Sequence, residues 1–179
     1  LAAQVAVDVL RRGGNAMDAA LAGAVLLGIC EPQMTGIGGD AFALWTRPGE
    51  TRVRALNGSG RAPAAANAAA LRERGLTSIP LESVDAVSVP GAIDAFCHLS
   101  ETEGRLGLDA ILAPAIHYAD AGVPVAPRVA FDWASQTEKL QGAARDHFLH
   151  DGKAPGVGAL FRAPGQAEVL RRIARDGRD

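Results

Sequence analysis

The first thirty residues carry two different hydrophobic patterns. From Leu1 to Arg12 apolar positions recur at helical spacing. Ala2, Val5, Ala6, Val9 and Leu10 fall on one face and Gln4, Asp8 and Arg11 lie elsewhere, which predicts an amphipathic helix. Gly13-Gly14 stops it, because glycine accepts the left-handed backbone that closes a helix C-terminus. Asn15 then stands where a side-chain oxygen can cap the first free amides of a second helix. That helix, from Ala16 to Cys30, is built of small apolar residues on every side, with Asp18 near its start and Glu31 just past its end. A helix that is apolar all round is a buried one, so this run is expected at the centre of the core.

Pro32 breaks the run and a glycine turn, Gly36-Ile37-Gly38-Gly39, follows it. Two strands are predicted next, Ala41–Arg47 and Thr51–Asn57, joined through the turn residues Pro48-Gly49-Glu50 as a hairpin. Asn57-Gly58-Ser59-Gly60 ends the second strand in a loop. Further helices are expected over Ala64–Gly75, Pro90–Glu103, Leu108–Ala121, Val129–Leu140 and Ala167–Asp176. In the second of these Ile93, Phe96 and Leu99 have helical spacing, and Pro90 suits a first turn where no amide hydrogen is needed. Thr77–Ser88 reads as irregular or β-like, and Gly152–Gly165, rich in Gly, Ala and Pro, as a surface loop. Helices dominate, with a few strands near the front.

Composition narrows the picture further. The 179 residues suit one domain of ordinary size, and at 48% hydrophobic content they can form a substantial core. Aromatics are only 4%, so close-packed Ala and Gly elements must fill that core. A net charge of −2 with dispersed basic residues gives a phosphate backbone no general attraction, which argues against nucleic acid as a partner. The Ala19–Cys30 run is too short for a membrane span. Cys30 and Cys97 lie in apolar helical patterns and read as buried free thiols, not as a disulfide framework. Leu1 already sits inside an amphipathic pattern, so the natural start of the protein is expected upstream.

Several candidate sites can be weighed on the residues alone. Gly36 to Ala41 matches the GxGxxG/A dinucleotide pattern, but that motif follows a strand and opens a helix, and here the order is reversed. Ser59, in Gly58-Ser59-Gly60, lacks the spacing of a GxSxG nucleophile elbow and has no local base, so a hydrogen bond to backbone is its expected role. Of His98, His117, His147 and His150 only the last two are close in sequence, and no third ligand stands at a fixed spacing, so no metal is expected. Arg61 follows a glycine-flanked turn at a strand end, where a guanidinium can grip a carboxylate through two parallel bonds; a surface or capping arginine is the plain alternative.

The order of motifs adds a resemblance. GGNAMDAA from Gly13, EPQMTGIGGDAF from Glu31, Ala62-Pro63-Ala64, Ser88-Val89-Pro90-Gly91 and Leu112-Ala113-Pro114-Ala115 together resemble the large-subunit signature of the γ-glutamyltranspeptidase family, within the N-terminal-nucleophile hydrolases. The resemblance covers nearly the whole chain. It implies an α+β fold, a partial αββα sandwich to which residues 1–179 contribute outer helices and a few central strands as one incomplete domain. It implies amide hydrolysis or acyl transfer through a threonine acyl-enzyme, without a cofactor, after self-cleavage of a zymogen. The nucleophilic threonine belongs to a small subunit, the expected partner. None of Thr35, Thr46, Thr51, Thr77, Thr102 or Thr137 stands in a convincing processing site, so this chain alone is expected to be inert. In the family pattern R-E-x-A-P, aligned on Ala62-Pro63, the arginine that binds the glutamyl α-carboxylate falls on Ser59 and the glutamate on Gly60. With Arg61 two residues further on, Asn-Gly-Ser-Gly-Arg-Ala-Pro resembles divergent hydrolases and acylases more than true transpeptidases. The acyl donor is then γ-glutamyl or a related acidic chain such as glutaryl, with Arg61 and Ser59 as candidate substrate-binding residues. A cephalosporin or glutaryl acylase-like hydrolase, or a non-catalytic scaffold domain, is the alternative.

Overall fold

The structure is a computed structural model that describes residues 1–178. The chain folds as two compact units, one made of Leu1–Gly36 with the stretch from Phe96 onward and the other of Ile37–Ala95. It is helix-rich α+β, with two small antiparallel sheets among the described residues.

In the first unit α1 (Ala2–Arg11) packs on α2 (Ala16–Cys30), α2 on α5 (Leu108–Ala121), and α5 on α8 (Pro164–Asp176). Leu26, Ile29, Ile111, Leu112 and Leu170 are fully buried between them. Small residues on α2 permit the close approach: a β-carbon at Gly23 would stand 3.6 Å from the Ala2 carbonyl oxygen. α1 differs from the expected face in one residue. Val5 and Val9, a full turn apart, are buried, while Leu10, a third of a turn round from Val9, is 48% exposed.

The start of α2 holds a capping box. Asn15 Oδ1 accepts from the Asp18 amide at 3.0 Å, and Asp18 Oδ2 accepts from the Asn15 amide at 2.8 Å. Asp18 is completely buried, and its carboxylate also accepts from the amides of Arg105 and Leu106 at 3.0 and 3.4 Å. The Asn15 side-chain amide donates to the Glu103 carbonyl at 2.6 Å. One short polar pair at a helix start therefore ties down a turn nearly ninety residues away.

The last third departs most from the sequence expectation. Instead of one helix over Val129–Leu140, α6 covers Pro127–Ala134 and a 3-10 turn covers Thr137–Lys139. The hydroxyls of Ser135 and Thr137 donate to the Asp132 and Ala134 carbonyls at 2.6 and 3.1 Å, satisfying acceptors that a longer helix would have used. A further helix, α7 (Gly142–Phe148), was not expected. Nor is Gly152–Gly165 only a surface loop. Within it β4 (Leu160–Phe161) pairs with β3 (Val123–Pro124), which follows α5, and Phe161 and Ala163 are buried. Phe161 is drawn inward by aromatic contacts, its ring 4.9 Å from Trp133 and 6.1 Å from Phe148.

The second unit begins with a hairpin of β1 (Ala41–Trp45) and β2 (Arg54–Gly58), paired from Ala41 opposite Gly58 to Trp45 opposite Arg54. β2 starts three residues later than Thr51 because the connection is wider. Arg47 and Glu50 close a turn, and Arg54 clamps it through a 3.0 Å ion pair with Glu50. α3 (Ala68–Glu73) is shorter than Ala64–Gly75, since Asn67 caps its start by accepting from the Ala69 and Ala70 amides. Residues 77–88 are irregular apart from one 3-10 turn, Val84–Ala86. α4 (Ala92–Glu103) contains the boundary between the units. Along it Ala95, Cys97 and Leu99 are buried, whereas Ile93 and Phe96 are only half-buried.

Candidate substrate-binding cleft

The end of β2 is the place where the sequence expected chemistry. Asn57 Oδ1 accepts from the Ser59 amide at 3.0 Å, an Asx turn that bends the chain off the strand. Gly60 continues with φ +77, in the left-handed region that glycine adopts without steric cost. The Arg61 carbonyl then accepts from the Val89 amide at 2.8 Å, and Ser88 Oγ donates to the Ser59 carbonyl at 3.3 Å. Residues 59–61 thus lie along residues 88–91, the stretch that leads into α4. Gly39, in the glycine turn before β1, accepts at its carbonyl from the amides of Gly91 and Ala92 at 3.0 Å each. That turn holds the first amides of α4, with a helix before it and a strand after it, the opposite of a dinucleotide loop.

These segments enclose an open cleft of about 610 Å³, whose walls include Asn57, Ser59, Arg61, Val89, Pro90 and Asp94. Ser59 and Arg61, the two candidate substrate-binding residues, both line it. Ser59 is half-buried and its Oγ donates to the Gly60 carbonyl at 3.3 Å, so the hydroxyl serves the backbone. Arg61 is exposed, free to present a planar pair of donors to an anion entering the cleft. The sequence did not place Asp94 and Val89-Pro90 here. Ser88-Val89-Pro90-Gly91 stood out as a landmark, but its pairing with residues 59–61 is a long-range contact that no local pattern encodes.

A second concavity of about 660 Å³ lies in the same unit, walled by α3 and residues 79–88, with Ala66, Leu71 and Ile79 among its lining. At its edge Arg74 and Asp85 form a 2.6 Å ion pair. Hydrogen bonds from Arg74 first, then from Ser83, hold the Asp85 carboxyl below its usual range. Arg74 is exposed and Asp85 half-buried at the rim, so the pair orders the rim more than it stabilises the fold.

The histidines serve other ends. His147 on α7 lies edge-on to Phe148 at 4.6 Å, whereas His150 lies beyond the helix in a β-bridge with Lys153. Among the described residues no group of three or more His, Cys, Asp or Glu side chains converges for a metal ion. Among the same residues no helix is long and apolar enough to cross a membrane.

Neither cysteine forms a disulfide. Cys97 is fully buried; Cys30 is half-buried, and burial, reinforced by the Glu31 carboxylate, pushes its thiol above the usual value. A raised pKa leaves less reactive thiolate at neutral pH. An aromatic disulfide reagent at pH 7 should therefore modify Cys30 more slowly than free cysteine and reach Cys97 only after denaturation. Rapid modification of both would contradict the packing around α2 and α4.

Comparison with known proteins places this geometry. The γ-glutamyltranspeptidase family model matches residues 2–179. A glutathione hydrolase-like proenzyme of Bacillus subtilis, YwrD, is 37% identical over 99% of this chain and 34% of its own length. An oxamate amidohydrolase proenzyme of Klebsiella pneumoniae is 36% identical, over 100% of this chain and 35% of its own. The chain thus spans about a third of the length of these curated relatives. Among solved structures, the cephalosporin acylase of Bacillus halodurans superposes with a TM-score of 0.90 at 41% identity, covering 98% of this chain and 34% of that one. The γ-glutamyltranspeptidase of Helicobacter pylori gives 0.91 at 26% identity, covering 98% and 52%. With its helices, its hairpin and its motifs all matched over almost its full extent, the chain belongs to the γ-glutamyltranspeptidase family.

Proposed function

We propose that the complete protein is an amide hydrolase and acyltransferase, and that this chain supplies scaffold and one wall of its acyl pocket. The observation that carries the reading is the cleft at the end of β2, where Arg61 and Ser59 share a wall. The chemistry is that of an N-terminal threonine outside this chain. Its hydroxyl attacks the amide carbonyl while its own α-amino group takes the proton and passes it to the departing amine. The resulting ester is then opened by water or by an acceptor amine. Arg61 anchors a carboxylate on the acyl group, and the charge pair orients the scissile bond toward the incoming hydroxyl.

The partner in this reading is a small subunit bearing the threonine. The hairpin supports it. β1 and β2 pair only with each other among the described residues, and Phe42 and Leu44 on one face are 65% and 76% exposed. A lone two-stranded hairpin is marginal in water, and an exposed apolar face on it calls for cover. Further strands of the complete protein would extend it into the central sheet of an αββα sandwich, with residues 1–179 the front part of one large-subunit domain.

The acyl group is either γ-glutamyl or another acidic chain such as glutaryl. A specific observation favours the second reading: the family's carboxylate-binding arginine position is occupied by Ser59, whose hydroxyl is committed to backbone. The names of relatives point both ways, toward glutathione hydrolase in Bacillus subtilis and toward cephalosporin acylase in Bacillus halodurans. Assaying the full-length protein on γ-glutamyl and glutaryl anilides side by side separates them. Arg61→Ala should lower kcat/KM for the preferred acidic donor by about 10- to 100-fold, the worth of a charge-assisted hydrogen-bond pair. Unchanged kinetics would return Arg61 to the surface, and inactivity of the full-length protein on every acyl donor would favour a scaffold role.

A further inference from the structure

We propose that Gly60 and Gly91 are positioning residues that fix where the Arg61 guanidinium stands, and so determine selectivity for acyl donors with a free carboxylate; this rests on the reading of Arg61 above. The two glycines let residues 58–61 and 88–91 approach backbone to backbone. A β-carbon on Gly60 would overlap the Val89 carbonyl oxygen and come within 3.2 Å of the Gly91 amide nitrogen. One on Gly91 would overlap the Gly58 carbonyl oxygen and stand 2.5 Å from the Gly60 nitrogen. Gly60 also needs its φ of +77, which a residue with a side chain adopts only under strain. Hydrogen bonds close the latch on either side of Gly60, from Ser88 Oγ to the Ser59 carbonyl and from the Val89 amide to the Arg61 carbonyl.

The consequence reaches Arg61 directly. Its side chain is long and exposed, so its reach is set by where its backbone is held. With Gly60 latched, the Arg61 backbone is fixed one peptide from the crossing point. Any side chain at position 60 must push residues 59–61 off residues 88–91 and carry the guanidinium with them. The transpeptidase pattern has glutamate at this position. Here the Val89 carbonyl oxygen leaves no room for it.

The test uses the full-length protein and two donors, glutaric acid monoanilide and its methyl ester, which differ only in the free carboxylate. Misplacement of a binding group by an ångström costs on the order of 10- to 100-fold. Gly60→Ala and Gly91→Ala should each reduce the acid-to-ester ratio of kcat/KM by about that factor, through a raised KM for the acid, with the ester little changed. Ser88→Ala, which deletes one latch bond and no volume, should lower the same ratio severalfold. Equal losses on both donors would mean a merely structural role and overturn the proposal. So would an unchanged ratio in the glycine variants while Arg61→Ala lowers it. Should the glycine variants fail to fold, Ser88→Ala decides alone, an unchanged ratio counting against the latch. An unchanged ratio in Arg61→Ala would instead sink the reading of Arg61 itself.

Discussion

Replacing Asp18 with alanine should destabilise the protein by about 3 kcal/mol, the cost of a lost N-terminal cap plus part-buried amides left without acceptors. For a chain of this size that is a fall of about 6–12 °C in the thermal midpoint. The Asp18 carboxylate, with no solvent exposure, accepts from the amides of Asn15, Arg105 and Leu106. Alanine removes the acceptor and leaves part-buried donors unpaired, the expensive half of a hydrogen bond to leave behind. Asp18→Asn retains shape but turns an amide nitrogen toward groups that are themselves donors, so it should fall between wild type and alanine. Hydrogen exchange gives a second readout: the amides of Arg105 and Leu106 should lose protection in Asp18→Ala before those of α5. A midpoint within about 1 °C of wild type would show that the turn after α4 does not depend on this carboxylate.

Trp133→Ala should cost about 3–5 kcal/mol, the usual range for deleting a buried large aromatic side chain. Trp133 is 2% exposed, and the rings of Phe161 and Phe148 meet it edge-on at 4.9 and 6.1 Å. The loss should be local before it is global. β4, only two residues long and paired among the described residues with β3 alone, depends on Phe161 staying inward. The near-UV circular dichroism of the cluster and the protection of β3–β4 should fall together, while α1 and α2 stay protected. Trp133→Phe keeps a ring in the contact and should cost less. Equal protection of β3–β4 in wild type and Trp133→Ala would refute the aromatic plug as what seats that strand pair.

These two variants mark the boundary of what the sequence can say. The start of α2 was readable because Gly13-Gly14 and the capping Asn15 stand directly before its apolar run. Asn15 is legible as a cap and Gly13 as a helix stop, whereas Asn67 is not, because the alanine-rich pattern from Ala64 runs straight through it. What the same Asp18 does for Arg105 and Leu106 was not legible, since nothing near position 18 names a turn 87 residues later. The aromatic cluster shows the same limit. Gly152–Gly165 has the composition of a loop, and Phe161 becomes part of a core only because Trp133 and Phe148 arrive from α6 and α7.

By itself the chain's sequence determined the buried all-apolar helix, the glycine stops, the hairpin and the ordered set of motifs that place it in its family. All of these depend on backbone hydrogen bonds and side-chain periodicity within a few residues of one another. Only the tertiary structure decided that Val89, Pro90 and Asp94 wall the cleft beside Ser59 and Arg61, that Gly60 is pressed against Val89, that Leu10 faces outward and that β4 exists. Each of those outcomes turns on which distant segment occupies the adjoining space. Burial and steric exclusion are properties of the packed pair, and neither partner carries them alone.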